Sequence, residues 1–270
     1  MNFKGWEKVS LVEWPEKICS IVFVGECNFY CPWCYNQALA RWPENLADIK
    51  EEDVLTYLKE NQKFLDGVMI SGGEPLKNQK SKIKRQNYEE NGLTEFIKKV
   101  KKMGLMVGVE TNGSNPEFLE YLLKNKLVDY VAMDVKAPIS SKFSVRQLAE
   151  HTRLSVPTNR QQAKTSGQPE SKYEQVVGTK VDLEKIKKSI SLIKELAPDY
   201  EFRTTVVPGL LEIEDLYQIA EELQGAKRYY LQEFEGRLVE GWPYQAYLKG
   251  IAQDLEKKFQ GYFGTFKVRA

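Results

Sequence analysis

"KICSIVFVGECNFYCPWCYNQ", residues 17–37, carries two signals in succession. Its first part, 17–25, is an apolar run rich in β-branched residues and reads as a buried strand. Its second part sets Cys27, Cys31 and Cys34 within eight residues, in a chain that has four cysteines. Ligand sites of parallel α/β folds gather where strands end in loops. A strand that runs directly into three thiols therefore predicts both a fold and a site.

Outward from this stretch, short apolar runs alternate with helical patterns. "GVMISGG" (67–73), "LMVGVETNG" (105–113), "DYVAMDVKAP" (129–138), "YEFRTTVVPG" (200–209) and "AKRYYLQEFEG" (226–236) read as five further strands. Between them lie helices: 46–65 with Val54, Leu55, Leu58 and Leu65 inward, and 93–104 with Phe96, Ile97 and Val100 on one face, stopped by Gly104. Asn115 as N-cap and Pro116 at the first position open the next. Asp182 opens a helix that repeats Ile186, Ile190 and Ile193. The last helices span 213–225 and roughly 244–259. Six strand–helix units predict an α/β fold, a partial (β/α)6 barrel rather than a closed one of eight, in one domain over 1–270.

At 270 residues and 42% hydrophobic, the chain can bury a sizeable core. Its net charge of +1 gives no global field to draw nucleic acid or an anionic membrane. No apolar run approaches the about 20 residues of a membrane span, and the start "MNFKGWEKVSLVEWPEK" lacks the apolar core of a signal peptide. A reducing, cytoplasmic location is the expectation. There, clustered cysteines bind metal or do redox chemistry more often than they pair. Two stretches break the rhythm. Residues 77–91 hold five Lys/Arg against two Glu, and 140–172 hold six against two. Both are poor in large apolar residues and read as basic surface insertions.

Cys-x3-Cys-x2-Cys lacks an obvious fourth zinc ligand. Cys19 lies inside the apolar strand, as a buried inert thiol would, and the one histidine, His151, lies in the second basic stretch. Three thiolates without a fourth suit an iron–sulfur cluster with one iron left open. A zinc-stabilised interaction module is the non-enzymatic alternative; a brown protein would eliminate it and a colourless, zinc-loaded one would favour it.

"CNFYCPWC" (27–34) resembles the cluster loop of the radical S-adenosylmethionine enzymes. The resemblance implies a 4Fe-4S cluster on Cys27, Cys31 and Cys34, with S-adenosyl-L-methionine chelating the remaining iron and Trp33 beside the adenine. "SGGEP" (71–75) is similar to the family's Gly-Gly-Glu motif, which implies that Gly72, Gly73 and Glu74 receive the methionine ammonium. "ETNG" (110–113) brings Glu110 and Asn112 to the cofactor side, and "MDVK" (133–136) places Asp134 and Lys136 near ribose and carboxylate. "FRTTVVPG" (202–209) resembles a strand motif whose arginine, Arg203, faces the site. The implied reaction is reductive cleavage of S-adenosylmethionine to methionine and a 5′-deoxyadenosyl radical.

Within the superfamily, "SLVEWPEKI", "CPWCYNQAL", "ISGGEP", "VETNG", "AMDVKAP" and "FRTTVVPG" resemble the activases of glycyl-radical enzymes, particularly those of anaerobic ribonucleoside-triphosphate reductase. The partner implied is such a glycyl-radical enzyme, which loses a hydrogen atom from a backbone glycine, with flavodoxin or ferredoxin as electron donor. Tyr35 stands where that group commonly has histidine, and the basic insertions replace its usual short connections. A small-molecule radical enzyme like the 7-carboxy-7-deazaguanine synthases is the alternative; "CYNQ" argues against it, because an acidic residue and a threonine usually follow the third cysteine there.

Overall fold

The computed structural model describes residues 1–77, 88–140, 169–236 and 247–269. Most of the two basic stretches, His151, and the expected start of the last helix at Tyr244 lie outside the described residues. The chain divides into two compact units, each assembled from separate segments: Met1–Asn28, Asn36–Met133 and Lys188–Tyr200 in the first, Phe29–Tyr35, Asp134–Lys187 and Glu201–Ala270 in the second.

In the first unit, β1 (Asn2–Phe3), β2 (Gly5–Ser10) and β3 (Cys19–Val24) precede the short α1 (Gln37–Arg41). Then come β4 (Ile49–Lys50), α2 (Glu51–Glu60), β5 (Gly67–Gly72), α3 (Gly92–Lys102), β6 (Met106–Thr111), α4 (Pro116–Lys124) and β7 (Tyr130–Asp134). The sheet order is β2-β3-β5-β6-β7, with β3 to β7 parallel and β2 antiparallel at the edge. The local signals act as their chemistry requires. Phe96, Ile97 and Val100 of α3 are fully buried, and Gly104 after it takes φ +79°. The Asn115 side chain accepts from the Phe118 N–H at 3.3 Å and caps α4.

One face of this sheet changes character along the strands. At its lower rungs Cys19, Ile21, Met69, Tyr130 and Ala132 form an apolar cluster that Trp14 joins, stacked on Tyr130 at 5.0 Å. Gly108 leaves room for it, because a Cβ there would meet the Trp14 ring at 3.1 Å. Two residues further up β5 and β6, Ser71 and Glu110 stand on that face instead. Apolar packing below and polar groups above put any chemistry at the C-terminal edge. Burial pushes the Cys19 thiol up to about 12, with Glu13 and Glu7 adding to it, as expected of an inert cysteine.

The second unit carries α5 (Lys172–Val177), most of the parallel strand β8 (Asp199–Val206), α7 (Ile213–Leu223), β9 (Arg228–Glu233), α8 (Ala252–Lys258) and β10 (Thr265–Arg269); α6 (Leu183–Leu196) enters from its end. The order is β8-β9-β10, all parallel. Tyr229, Phe259, Phe263 and Phe266 pack edge and face together on one side of it. All six predicted strands form. The terminal "GTFKVRA" adds a strand that its short, charged pattern does not announce, and the described last helix is shorter than the one expected. Among the described residues no helix is long and apolar enough to cross a membrane.

Candidate functional site

In the first unit the Gly-Gly-Glu turn leaves β5 and presses on the residues just before Cys27. Gly72 sits at φ +121°, where a side chain is strained, and Gly73 and Glu74 donate their N–H groups to the carbonyls of Val24 and Glu26 at 2.9 Å each. A Cβ on Gly73 would overlap the Glu26 carbonyl. The close approach those glycines permit is thus to the chain's own backbone at the mouth of the cysteine loop.

Glu74 is 2% exposed and ties this turn to the end of β6. One carboxylate oxygen accepts from Thr111 Oγ1 at 2.7 Å and from the Leu76 N–H at 3.0 Å; the other accepts from the Asn112 N–H at 2.6 Å. Asn112 in turn points Nδ2 at Asn28 Oδ1 (3.0 Å) and at Cys27 Sγ (3.8 Å). The Asn28 amide donates to Ser114 Oγ at 2.9 Å, and Ser71 donates to Glu110. The expected residues Cys27, Gly72, Gly73, Glu74, Glu110 and Asn112 are therefore one hydrogen-bonded neighbourhood. Thr111 and Ser71 belong to it although neither stood out in the sequence; both lie inside the quoted motifs.

In the second unit the cysteine loop is pinned at both ends. Tyr30 donates its N–H to the Val177 carbonyl at 2.8 Å, and Trp33 donates Nε1–H to the Val176 carbonyl at 2.9 Å, so α5 supports the loop. A turn closes from the Cys34 N–H to the Cys31 carbonyl at 3.3 Å. Tyr35 stacks on Phe234 at 5.6 Å, and its hydroxyl accepts from the Glu235 N–H at 2.6 Å. Lys136 pairs with Asp134 at 2.6 Å, and its Nζ lies 5.1 Å over the Trp33 ring. Burial disfavours that ammonium, yet Asp134 and then Cys31 hold its pKa above the ordinary lysine range. Tyr173 OH accepts from the Lys136 N–H at 3.3 Å, a contact no sequence signal announced. Arg203, 6% exposed, is engaged through Nε by Glu201 two residues earlier on β8.

The donor set fits an iron–sulfur cluster. None of the four cysteines is in a disulfide. Among the described residues no three His, Cys, Asp or Glu side chains converge on one metal position. A cluster does not ask for that, because each thiolate binds a different iron. Asn112 Nδ2–H beside Cys27 Sγ is the kind of donor that tunes a cluster sulfur.

Comparison with known proteins bears on this arrangement. The family model of the radical SAM superfamily matches residues 21–156. A protein of Methanocaldococcus jannaschii, named as a candidate glycyl-radical enzyme activating enzyme, is 30% identical over 231 residues, 84% of this chain and 77% of its own length. The anaerobic ribonucleoside-triphosphate reductase-activating protein of Escherichia coli K12 is 31% identical over 78 residues, 28% of this chain and 50% of its own. The crystal structure of Streptococcus suis SuiB bound to S-adenosylmethionine superposes with a TM-score of 0.56 at 13% identity, covering 93% of this chain and 52% of that one. This chain spans about half the length of SuiB, and the likeness shows the fold: α/β, with a parallel sheet.

Proposed function

The chain belongs to the radical SAM superfamily, and from that premise we propose that it is a cytoplasmic activase that installs a glycyl radical on a partner enzyme of the anaerobic ribonucleotide reductase kind. The observation that carries this reading is the likeness to the M. jannaschii protein across 84% of this chain. Cys27, Cys31 and Cys34 hold the 4Fe-4S cluster, and flavodoxin or ferredoxin supplies its electron. When bound, the cluster and S-adenosylmethionine provide one-electron chemistry that ends in abstraction of a hydrogen atom.

The chain's own residues bind and orient. Glu74, held by Thr111 and the Asn112 N–H, keeps the Gly-Gly turn against Glu26 and receives the methionine ammonium. Asn112 orients Cys27. Lys136, kept charged by Asp134, receives a carboxylate, and Asp134 receives ribose hydroxyls. Trp33 walls the cofactor off from water beside Lys136. Glu110, bonded by Ser71, and Arg203, held by Glu201, serve the cofactor.

The test is anaerobic reconstitution with iron and sulfide, followed by electron paramagnetic resonance after adding S-adenosylmethionine, reductant and the glycyl-radical enzyme encoded in the same genome. A glycyl-radical signal on the partner is expected. Cleavage of S-adenosylmethionine with no partner radical, alongside conversion of a small molecule, would overturn the activase reading.

A further inference from the structure

Within the second unit, α5 turns one face towards the cysteine loop. Tyr173, Val176 and Val177 share that face at the three- and four-residue spacing of a helix, and all three are fully buried. The carbonyls of Val176 and Val177 hold Trp33 and Tyr30. Gly178 closes the helix at φ +68°, and a Cβ there would stand 2.5 Å from the Tyr30 carbonyl. One turn back, the Tyr173 ring meets Phe29 edge to face, with centroids 6.4 Å apart. Phe29 and Trp33 lie two residues to either side of Cys31. The phenol is thus placed against the loop at its Cys31 section.

A ring that only packed there would not need a hydroxyl. The Tyr173 oxygen accepts from the Lys136 N–H at 3.3 Å, a long bond, and its own proton goes to no acceptor among the described residues. Burying a hydroxyl with its proton ungiven is costly, and phenylalanine would fill the same space. Burial keeps the phenol protonated against the pull of Lys136, and Cys31 and Asp134 add to burial. Cys31 also acts on the Lys136 ammonium, which stands over Trp33. A buried donor without an acceptor therefore neighbours a sulfur that, as an iron ligand, has lone pairs to share.

We propose that Tyr173 donates its phenolic proton to the cluster at the Cys31 sulfur, and so raises the potential at which the cluster accepts its electron. Hydrogen bonds to cluster sulfurs favour the reduced, more negative state. Tyr173 is then the counterpart at Cys31 of the Asn112 amide at Cys27. This rests on the reading of Cys31 as a cluster ligand, which iron analysis tests separately.

Tyr173→Phe keeps the ring and removes only the hydroxyl. After anaerobic reconstitution its iron and sulfide should equal those of wild type. A redox titration without S-adenosylmethionine, followed by electron paramagnetic resonance, should place its midpoint below that of wild type. A ring-fluorinated tyrosine placed at 173 alone keeps the hydroxyl and donates more strongly, so its midpoint should lie above wild type; it decides the matter if Tyr173→Phe loses iron. The downward shift should persist when Lys136→Gln is added, because the proton reaches the sulfur without that ammonium. Tyr229→Phe removes another fully buried hydroxyl of this unit, one that donates to Thr204 Oγ1 at 3.0 Å, and should leave the midpoint unchanged. Equal midpoints in wild type, Tyr173→Phe and the fluorinated protein overturn the proposal. So does a shift that vanishes in the Lys136→Gln background, which would make Tyr173 a support for Lys136. Weaker S-adenosylmethionine binding at an unchanged midpoint overturns it as well and gives the proton to the cofactor. A wild-type protein that takes up no iron removes the cluster reading, and this proposal with it.

Discussion

Cys19 and Cys27 are eight positions apart and chemically opposite. Cys19 sits in the apolar cluster under Trp14 with its thiol pushed up to about 12 by burial, while Cys27 has an amide donor 3.8 Å from its sulfur. Cys19→Ala should therefore retain wild-type iron after reconstitution, and Cys27→Ala, Cys31→Ala and Cys34→Ala should each lose the cluster. Iron and sulfide analysis decides it; loss of iron in Cys19→Ala with retention in any of the three would reverse the ligand assignment. Glu74 can be separated into two roles. Its removal orphans the Thr111 hydroxyl and the Asn112 and Leu76 N–H groups, so Glu74→Ala should lower the melting temperature of the cluster-free protein, at about 1–3 kcal/mol per buried group left unpaired. If it also receives the cofactor ammonium, affinity for S-adenosylmethionine falls roughly ten- to a hundredfold in anaerobic titration. A lower melting point with unchanged affinity would make Glu74 a clamp and nothing more. Lys136→Ala gives the contrast, since Lys136 ties no turn and its loss should appear in affinity first.

At the scale of elements, the glycines of the "SGGEP" turn are the sharper test of how the site is built. Gly73→Ala drives a methyl into the Glu26 carbonyl, a rigid backbone neighbour, and should cost about 1–3 kcal/mol as overpacking does. Gly104→Ala is the control. Its φ of +79° is unfavourable for alanine, a strain that Gly73 does not carry, but no atom lies within 4 Å of the added Cβ, so only the backbone strain of about 1–2 kcal/mol acts there. Thermal melts of the two cluster-free variants should separate, with Gly73→Ala lower and impaired in holding iron; coincident melts would mean that the contact with Glu26 is slack. What was legible in the sequence follows the same logic. The six strands and most helices were readable because buried β-branched runs, the Asn115–Pro116 cap and the Phe96, Ile97, Val100 stripe are local signals. β10 was not, because "TFKVR" has one charged face and is fixed as a strand by pairing with β9. Trp14 and Tyr173 were missed for a related reason. Each is placed by partners far along the chain, Tyr130 and Lys136, that no spacing rule connects to them.

For the molecule as a whole, the open matter is what the second basic stretch contributes. Residues 140–172 hold six Lys/Arg against two Glu, and their borders are secured in the second unit. On one side the N–H groups of Ile139 and Ser140 donate to the Glu222 carboxylate at 2.9 Å each. On the other, Ser171 caps α5 by accepting from the Glu174 N–H at 3.2 Å, and Lys172 pairs with Asp215 at 3.1 Å. Of 144–170, Glu170 is engaged at this border, its N–H donating to the Glu174 carboxylate at 2.7 Å, which a linker N–H can replace, and its exposed carboxylate pairing with Lys180 at 2.5 Å. Replacing 144–170 by a flexible Gly/Ser linker should therefore leave the melting temperature, iron content and S-adenosylmethionine cleavage near wild type, because the deleted sequence offers few large apolar side chains to a core. Partner activation separates two consequences. If the cations of this stretch draw an acidic partner, the deletion slows activation at low ionic strength, and the difference from wild type shrinks as salt is raised through about 0.1 M, where screening takes hold within about 10 Å. Steering of this kind acts on the association rate, so the maximal rate at saturating partner should be unchanged. Equal activation by deletion and wild type at low salt would show that this stretch contributes no steering. A deletion that loses iron would instead show that 144–170 supports the cluster loop, through the same α5 that holds Tyr30 and Trp33.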